Sequence, residues 1–189
     1  MSLPATLRDD QKGSALLEFA IVLPLLVVFI VGIYDFSGAF NQKQKIEHAA
    51  QAGAIVAAAQ PMSDIEPTAT NPASLQPVVE VIFRSLDEDD LLPLGGQGTC
   101  QLPATAAQGG GSTTSWTYTV AGCPDTVTVV IDRGWVPVTA DTTKSVGTRV
   151  QVTYKYHWRF NSAIQLLFPG ASYAATTDIT EAATVHNQT

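Results

Sequence analysis

The chain reads KGSALLEFAIVLPLLVVFIVGIY over residues 12–34, and this stretch decides its fold. No charged residue follows Glu18 until Asp35. Residues 14–34 supply about the 20 residues that a helix needs to cross the hydrocarbon core of a bilayer. Pro24 lies inside the run, where transmembrane helices tolerate proline. The sequence therefore predicts a membrane helix with one acid near its start, and that acid would cost about 2.5–3.5 kcal/mol at a bilayer centre and less near an interface.

Three interpretations of this segment compete. A cleaved secretory signal has an apolar region of about 7–15 residues that ends at small residues. Here the run is longer, Glu18 opens it, and Asp35 and Phe36 separate it from the small residues Ser37-Gly38-Ala39. An uncleaved anchor explains the length of the run but not the acid.

A prepilin-type signal explains more residues at once. Its short polar leader, residues 1–13 with Arg8 and Lys12, stays in the cytoplasm. A prepilin peptidase cuts after Gly13, where a small residue is needed, and Ser14 becomes the new N-terminus. Glu18 then lies one helical turn further on. In a filament, the Ser14 ammonium of one subunit can pair with the Glu18 carboxylate of a neighbour, which makes two desolvated charges tolerable.

The stretch GSALLEFAIVLPLL, residues 13–26, resembles the start of TadE-like proteins, the pilin-like minor components of the tight-adherence (Flp, type IVc) pilus machinery. The resemblance is carried by Gly13 as the cleavage residue, by the pair Glu18-Phe19 at this offset and by Leu23-Pro24 within the run. It implies a minor pilin or pseudopilin that acts in pilus assembly, in initiation or at the tip. Its partners would be the bacterial inner membrane, the prepilin peptidase, other pilin subunits and the assembly machinery.

The helix is predicted to continue beyond the membrane to Gln60, because residues 35–60 are rich in helix formers and Pro61 stops it. A helix over residues 14–60 would be about 70 Å long at 1.5 Å per residue. One face is marked by Phe36, Phe40, Ala50, Ala54 and Ala57, and Lys43 can pair with Glu47 on the polar side. The Ala-rich stretch 49–59 permits close packing, either under the protein's own sheet or against a neighbouring subunit.

Charge and cysteine content narrow the class of protein. The formal net charge is −7, and the few Lys and Arg residues are scattered, so nucleic acid is not an expected partner. The two cysteines, Cys100 and Cys123, favour a single disulfide in an oxidising compartment over two free thiols. Two basic residues precede the span and two follow it, so the positive-inside rule gives no orientation. The cysteines and the prepilin logic place the C-terminal part outside the cytoplasm.

The remainder is predicted to be one extracytoplasmic α+β domain, residues 61–189, with a disulfide loop over residues 100–123. A linker over residues 61–77 leads into an amphipathic helix over residues 78–92, which ends in a solvated acidic turn. A Gly/Thr-rich surface loop follows. Two-residue alternation then predicts strands, and a short helix or turn precedes the last of them; the segments are 116–120, 126–131, 150–158, 161–168 (the helix or turn) and 173–185. The fold class is thus pilin-like α+β, a long N-terminal helix packed on an antiparallel sheet, and the closing strands also resemble TadE-like proteins.

The sequence offers no recognisable chemistry for an enzyme. The three histidines, His48, His157 and His186, share no metal spacing, and no nucleophile or zinc motif occurs. No catalytic residue, metal, cofactor or small-molecule substrate is expected. The alternative to a pilin is a membrane-anchored or tip-displayed binding module of the adhesin kind. Its contact region would be the Gly/Thr-rich insert over residues 94–115.

Overall fold

The computed structural model describes residues 6–66, 68–92, 94, 100–103, 105–109, 113–136, 146–160, 165, 170 and 175–187, with side chains from residue 13 onward. They form helix α1 (Thr6–Ala59), a 3-10 helix (Ala73–Leu75), helix α2 (Gln76–Glu88) and strands β1 (Ala107–Gln108), β2 (Ser115–Cys123), β3 (Asp125–Trp135), β4 (Gly147–His157) and β5 (Thr176–His186). The predicted α+β class, a long N-terminal helix with an antiparallel sheet, is confirmed.

The chain divides into two compact units, and α1 contributes to both. The first unit comprises residues 1–39 and 157–176, and the second comprises residues 40–156 and 177–189. The first unit thus joins the apolar half of α1 to the connection between β4 and β5. The second unit holds the sheet and its hydrophobic core.

Helix α1 contains 54 residues and begins at Thr6, earlier than the predicted start at Ser14. The leader adds to the helix because Leu, Arg, Gln and Lys all have good helix propensity. The helix ends at Ala59, and Pro61 follows, whose ring disfavours a helical residue before it.

The five strands form one antiparallel sheet in the order β1-β2-β3-β4-β5, so each strand pairs with its sequence neighbours. Tyr118 faces Val129, which in turn faces Val152, and this row lies on the buried face. Successive side chains of a strand point to opposite faces. The adjacent row, Thr119 opposite Thr128 opposite Thr153, therefore lies on the other face.

The second half of α1 and helix α2 cover the buried face of the sheet. Gly53 marks the closest approach: a Cβ at this position would lie 2.4 Å from Ile82 Cγ1 of α2 and 3.5 Å from Val150 Cγ1 of β4. The alanines of α1 that pack there are fully or almost fully buried, and they are Ala49, Ala50, Ala54, Ala57 and Ala58. The Ala-rich stretch is therefore packed inside its own domain, which was one of the two alternatives for it.

A disulfide joins Cys100 to Cys123, and both residues are buried, with their Cα atoms 4.6 Å apart. Gly122 lies beside it, in the irregular end of β2, at φ +83°, a left-handed conformation that favours glycine. The Tyr154 hydroxyl donates to the Cys123 carbonyl at 2.7 Å and fixes the end of β2 to β4. A loop of 23 residues closed in this way contributes about 3 kcal/mol of stability.

Arg133 of β3 is fully buried and reaches the end of α1. Its Nη2 donates to the Gln60 carbonyl at 2.8 Å and to Met62 Sδ at 2.9 Å, and its Nε donates to the same sulfur at 3.1 Å. The last carbonyls of a helix have no partner within the helix. Arg133 satisfies one of them and places a positive charge at the negative end of the helix dipole.

Several local expectations differ from the structure. Phe36 and Phe40 are 69% and 61% exposed, so they do not share the buried face of the alanines. Lys43 pairs with Glu181 of β5 at 3.4 Å instead of Glu47, because the packing of α1 brings that strand within its reach. The predicted loop over residues 94–115 contains β1, which pairs with β2.

The other expected segments fall near their predicted places. The interval 61–77 contains the 3-10 helix and the start of α2, and the last strand begins at Thr176. The helix or turn predicted over residues 161–168 lies outside the described residues except for Gln165.

Candidate functional site

The residues predicted to matter for processing and assembly all lie on α1, over less than four turns. Gly13, Ser14 and Glu18 follow one another along the helix, and the Ser14 hydroxyl donates to Glu18 Oε1 at 3.3 Å. The bond joins residues four apart, which are neighbours on a helix surface. The structure therefore brings the Ser14 side chain and the Glu18 carboxylate together on one exposed stripe.

Gly13 stands in open surroundings. A Cβ built at this position would meet no atom within 4 Å, and no positive φ is recorded for it. Glycine in a helix interior is less favourable than alanine by about 1 kcal/mol. Neither packing nor backbone conformation in the folded chain therefore accounts for a glycine here.

The apolar run beyond Glu18 is exposed over most of its length, and none of its residues is buried. Among the described residues, one helix is long and apolar enough to cross a membrane, with a mean hydropathy of 2.8 in its most apolar window, and 0% of that window is buried. Phe19, next to Glu18, is 62% exposed, and Pro24 lies within the unbroken helix. Such a surface is unfavourable in water.

The exit of the apolar run is held by contacts that sequence reasoning missed. Asp35 is the first charged residue after the run, yet it is only 2% exposed. Its Oδ2 accepts a hydrogen bond from the backbone N–H of Phe160 at 2.6 Å. The Phe36 and Trp158 rings meet edge to face with centroids 5.5 Å apart. The separation of these partners along the chain gives no local signal, although an acid at the end of an apolar run does mark the position.

Groups with perturbed pKa values lie in the second unit. Burial alone would raise the pKa of Asp64, but a hydrogen bond from the backbone N–H of Ser74 at 2.8 Å and the charge of Arg133 outweigh it and lower that pKa. Burial lowers the pKa of Arg133, and the Asp64 charge opposes this effect. Burial also raises the pKa of Tyr118 to about 12. Arg133 and Asp64 interact near the end of α1, and Tyr118 belongs to the hydrophobic core.

The acidic turn after α2 is occupied by local hydrogen bonds. Asp87 Oδ1 accepts from the Leu94 N–H at 2.9 Å, and Lys45 donates to the Asp89 carbonyl. Asp90 adopts φ +56°, and the next two backbone N–H groups bond to the Leu86 carbonyl, so the turn caps the helix. Within the described ranges, no three His, Cys, Asp or Glu side chains are grouped to hold a metal ion.

In a comparison with known proteins, the N-terminal part of the chain matches a family model. Residues 13–54 match the family model described as TadE-like protein. No curated protein and no solved structure matches the chain. The matched range begins at Gly13 and covers Glu18, Phe19, Pro24 and most of α1. The N-terminal segment of this chain is therefore similar to that of TadE-like proteins over residues 13–54, and the resemblance predicted from its motif is confirmed.

Proposed function

We propose that this protein is a minor pilin or pseudopilin of a type IVc (Tad/Flp) pilus, with a structural and not an enzymatic role. It enters the bacterial inner membrane through the apolar half of α1. A prepilin peptidase removes residues 1–13, and the mature subunit takes part in pilus assembly, in initiation or at the tip. The observation that carries the proposal is Glu18 at the head of an exposed apolar helix, within the range that matches the TadE-like family.

The surroundings of Gly13 support cleavage after that residue. The packing of the folded chain does not require a glycine at this position. A glycine here instead fits a peptidase that accepts only a small residue at the scissile bond. Cleavage removes Arg8 and Lys12 together with Asp9 and Asp10, so the formal side-chain charge of the chain stays unchanged at −7. The electrostatic change is local: it creates an ammonium group one turn from Glu18.

The exposure of the apolar run supports insertion followed by assembly. An acid on a lipid-facing helix is costly unless it is paired. The Ser14 hydroxyl is a neutral partner for Glu18. The ammonium that cleavage creates on the same residue is charged, and charged hydrogen bonds are about twice as strong as neutral ones. The ammonium can serve the Glu18 of its own chain or that of a neighbouring subunit, which links cleavage to assembly.

The disulfide supports the proposed orientation. Structural disulfides persist in oxidising compartments and are rare in the cytosol. Cys100 and Cys123 are bonded and buried, so the domain over residues 61–189 is proposed to fold on the extracytoplasmic side of the membrane.

The proposal is tested by the N-terminus of the mature protein. We expect intact-mass analysis of protein from cells with the peptidase to show a chain that starts at Ser14, and protein from cells without it to keep residues 1–13. A Gly13→Leu variant should keep its leader in both strains, and Gly13→Ala serves as the conservative control. A mature chain that starts at Met1 or after Ala39 in peptidase-containing cells would contradict the proposal.

The role of Glu18 gives a second test. We expect Glu18→Ala to insert and to be cleaved normally, because neither step needs the carboxylate, but to reduce incorporation into the pilus. The measurement is the amount of subunit in sheared pili relative to the membrane fraction. Ser14→Ala, which keeps the new ammonium and loses only the hydroxyl, is the matched control and should assemble. Equal assembly of Glu18→Ala and the unmodified protein would refute the charge pair.

A further inference from the structure

We propose that residues 158–160, at the start of the connection between β4 and β5, are a second membrane contact, in which Trp158, Arg159 and Phe160 lie in the headgroup region of the bilayer that α1 spans. This inference rests on the membrane insertion proposed above and adds a second contact, from a distant part of the sequence, to it. The contact involves only residues of the first unit, in which the connection is grouped with the apolar half of α1.

The first argument is the level of the contact along α1. The apolar run ends at Tyr34, and Asp35 is the next residue. At 1.5 Å per residue, Asp35 and Phe36 lie within about 3 Å of the end of the run along the helix axis. Asp35 binds the backbone of Phe160, and Phe36 contacts Trp158. Trp158 and Phe160 are therefore held at the level along α1 where the helix leaves the hydrocarbon.

The second argument is the direction of the side chains. The Cα–Cβ bonds of a helix tilt toward its N-terminus, so the ring of Phe36 covers the turn before it, on the side of the apolar run. The edge-to-face contact therefore joins the Trp158 indole to a ring that lies on that side, with the two centroids 5.5 Å apart. Tyr34 and Phe36 are 66% and 69% exposed, so the surface around the contact is apolar and open.

The third argument is the chemistry of the residues involved. Trp and Tyr are enriched at both membrane–water interfaces, where an apolar ring with a polar edge fits the headgroup region. Arg159 is exposed between two half-buried aromatic residues. An arginine in this position can lay its stem along apolar surface and hold its guanidinium at the lipid phosphates. The three successive residues thus suit a membrane interface: the Trp158 ring fits the headgroup region, the Arg159 guanidinium can bind lipid phosphates, and the Phe160 ring can contact acyl chains.

Asp35 and Ala175 position the contact. The hydrogen bond from the Phe160 N–H to the Asp35 carboxylate satisfies a backbone donor, which would be costly at the membrane without a partner. At the base of the connection, the Trp158 N–H donates to the Ala175 carbonyl at 3.0 Å. The first bond holds the backbone of Phe160 against α1, and the second ties the backbone of Trp158 to the residue that precedes β5. Asp35 is accordingly a positioning residue and does not itself touch lipid.

The test uses spin labels on the full chain in vesicles of phosphatidylcholine and phosphatidylglycerol. Cys100 and Cys123 are bonded to each other, so an introduced cysteine is the one that is labelled. Labels are placed at Phe160→Cys and, because Arg159 is exposed and its replacement leaves packing intact, at Arg159→Cys. Leu26→Cys in the apolar run is the reference for lipid, and Thr119→Cys on β2 is the reference for water. Collisions with oxygen, which partitions into lipid, are compared with collisions with a water-soluble nickel chelate.

We expect the ratio of oxygen to chelate collisions at positions 159 and 160 to lie between the ratios at positions 26 and 119, with oxygen in excess at position 26 and the chelate in excess at position 119. Adding Asp35→Leu to the Phe160→Cys variant should shift that label toward the chelate. Chelate access at 159 and 160 equal to that at 119, with position 26 in lipid, overturns the inference and leaves the proposed function intact. Labels at 159 and 160 that are shielded from both reagents also overturn it, because a protein then covers the site. Chelate access at position 26 overturns the inference together with the proposed function.

Discussion

Arg133 is a charged side chain in the interior of the sheet domain, and its hydrogen bonds are the reason that the domain tolerates it. Its side chain donates to the Gln60 carbonyl at the end of α1, and its charge interacts with that of Asp64. Its own backbone carbonyl accepts a hydrogen bond from Asn187 Nδ2 at 3.2 Å. One residue therefore joins the end of a helix, the middle of the sheet and the C-terminal end of the described chain. A buried charge that loses its partners is strongly destabilising.

We predict that Arg133→Leu lowers the free energy of unfolding by about 2–4 kcal/mol, because the Gln60 carbonyl and Asp64 then lose a charged partner. The measurement is urea denaturation followed by circular dichroism. Arg149→Leu is the matched control: its side chain is half-buried on the other face of the sheet, and its contact with Gln151 Oε1 is long, at 3.4 Å. A loss of about 0.5 kcal/mol or less is expected for it. Similar losses for both variants would contradict a special role for Arg133.

The same pair sets the response of stability to acid. The pKa of Asp64 is lowered in the folded state from an ordinary value of 3.8. Its contribution is therefore fully present above that ordinary value and is lost as the pH falls through the folded pKa. In Arg133→Leu the lowering is smaller, so stability should fall less steeply with acid below about pH 4 than in the unmodified protein. A parallel acid limb in the two proteins would show that Arg133 does not act on Asp64.

Ionisation of Tyr118 affects how the stability of the domain changes with alkali. Burial raises its pKa from 10.0 to about 12 in the folded state, so the unfolded chain loses this proton first. The stability that it contributes is present below pH 10 and is lost as the pH rises toward 12. We predict that Tyr118→Phe falls less in stability than the unmodified protein over this range. At neutral pH it should lose about 0.5–1.5 kcal/mol with its hydrogen bond to Asn71, which is 3.4 Å long. The check is urea denaturation at pH values from 7 to 12, and identical alkaline slopes would refute the assignment.

At the scale of elements, Gly53 decides how closely α1 approaches α2 and the sheet. A Cβ there would overlap the Ile82 side chain, whose Cγ1 and Cδ1 atoms would lie 2.4 Å and 2.6 Å away. Ile82 is itself fully buried and has little room to move. The helix therefore accepts the unfavourable propensity of glycine in return for a short distance between the two helices.

We predict that Gly53→Ala destabilises the domain by about 1–3 kcal/mol, although alanine is the better helix former, because the added methyl overpacks the core. The Gly53→Ala/Ile82→Ala double variant should lose less than the sum of the two single variants, because the shorter side chain makes room. Gln51→Ala, an exposed position two residues away, is the control and should be neutral or slightly stabilising. Additivity in the double-mutant cycle would refute the close approach.

The elements also show which parts of the fold the sequence could predict. Alternation of Thr with Val or Tyr is a local signal, and it located β2, β3 and β4 within a few residues. β1 has two residues, too few to carry a period, and it exists through its pairing with Trp116 and Thr117. The inward position of Arg133 follows from the alternation of β3, but its partners at Gln60 and Met62 are more than 70 residues away. A contact of that kind leaves no pattern in either segment.

The candidate site divides in the same way. Gly13, Ser14 and Glu18 lie within about a turn and a half of one helix, so their spacing alone predicted that they lie together. Asp35 and Phe160 are 125 residues apart, and only the fold brings them into contact. The arrangement of the proposed processing segment is thus a property of local sequence, whereas the contacts at the exit of the apolar run are a property of the tertiary structure.

At the scale of the whole molecule, the core and the membrane helix occupy different stretches of the sequence. The buried hydrophobic residues of the described chain begin at Ile46, and the most apolar window of α1 is 0% buried. Burial of apolar surface provides most of the stability of a domain. The energy that folds the sheet domain is therefore independent of the segment proposed to lie in the membrane.

We predict that removal of residues 1–34 yields a folded protein that stays in solution without detergent. Its thermal unfolding midpoint should lie within a few degrees of that of the full chain in detergent, because the deleted residues bury no part of the core. The measurement is a circular dichroism melt, with the disulfide intact in both samples. A further truncation, through Ile46, removes a fully buried side chain and should unfold at a clearly lower temperature. A broad, non-cooperative melt of the first truncation would contradict the prediction.

The bond between Arg133 and the end of α1 has a consequence for the order of events during export. The N-terminal part of the chain emerges first, and Arg133 follows Gln60 by 73 residues. Where export accompanies synthesis, at about 5–20 residues per second, the Gln60 carbonyl waits roughly 4–15 s for its partner. During that interval the last turn of α1 is capped only by water and frays. The end of α1 thus gains its hydrogen bond from Arg133 only when β3 docks, so completion of the first element of the chain depends on a strand that is made much later.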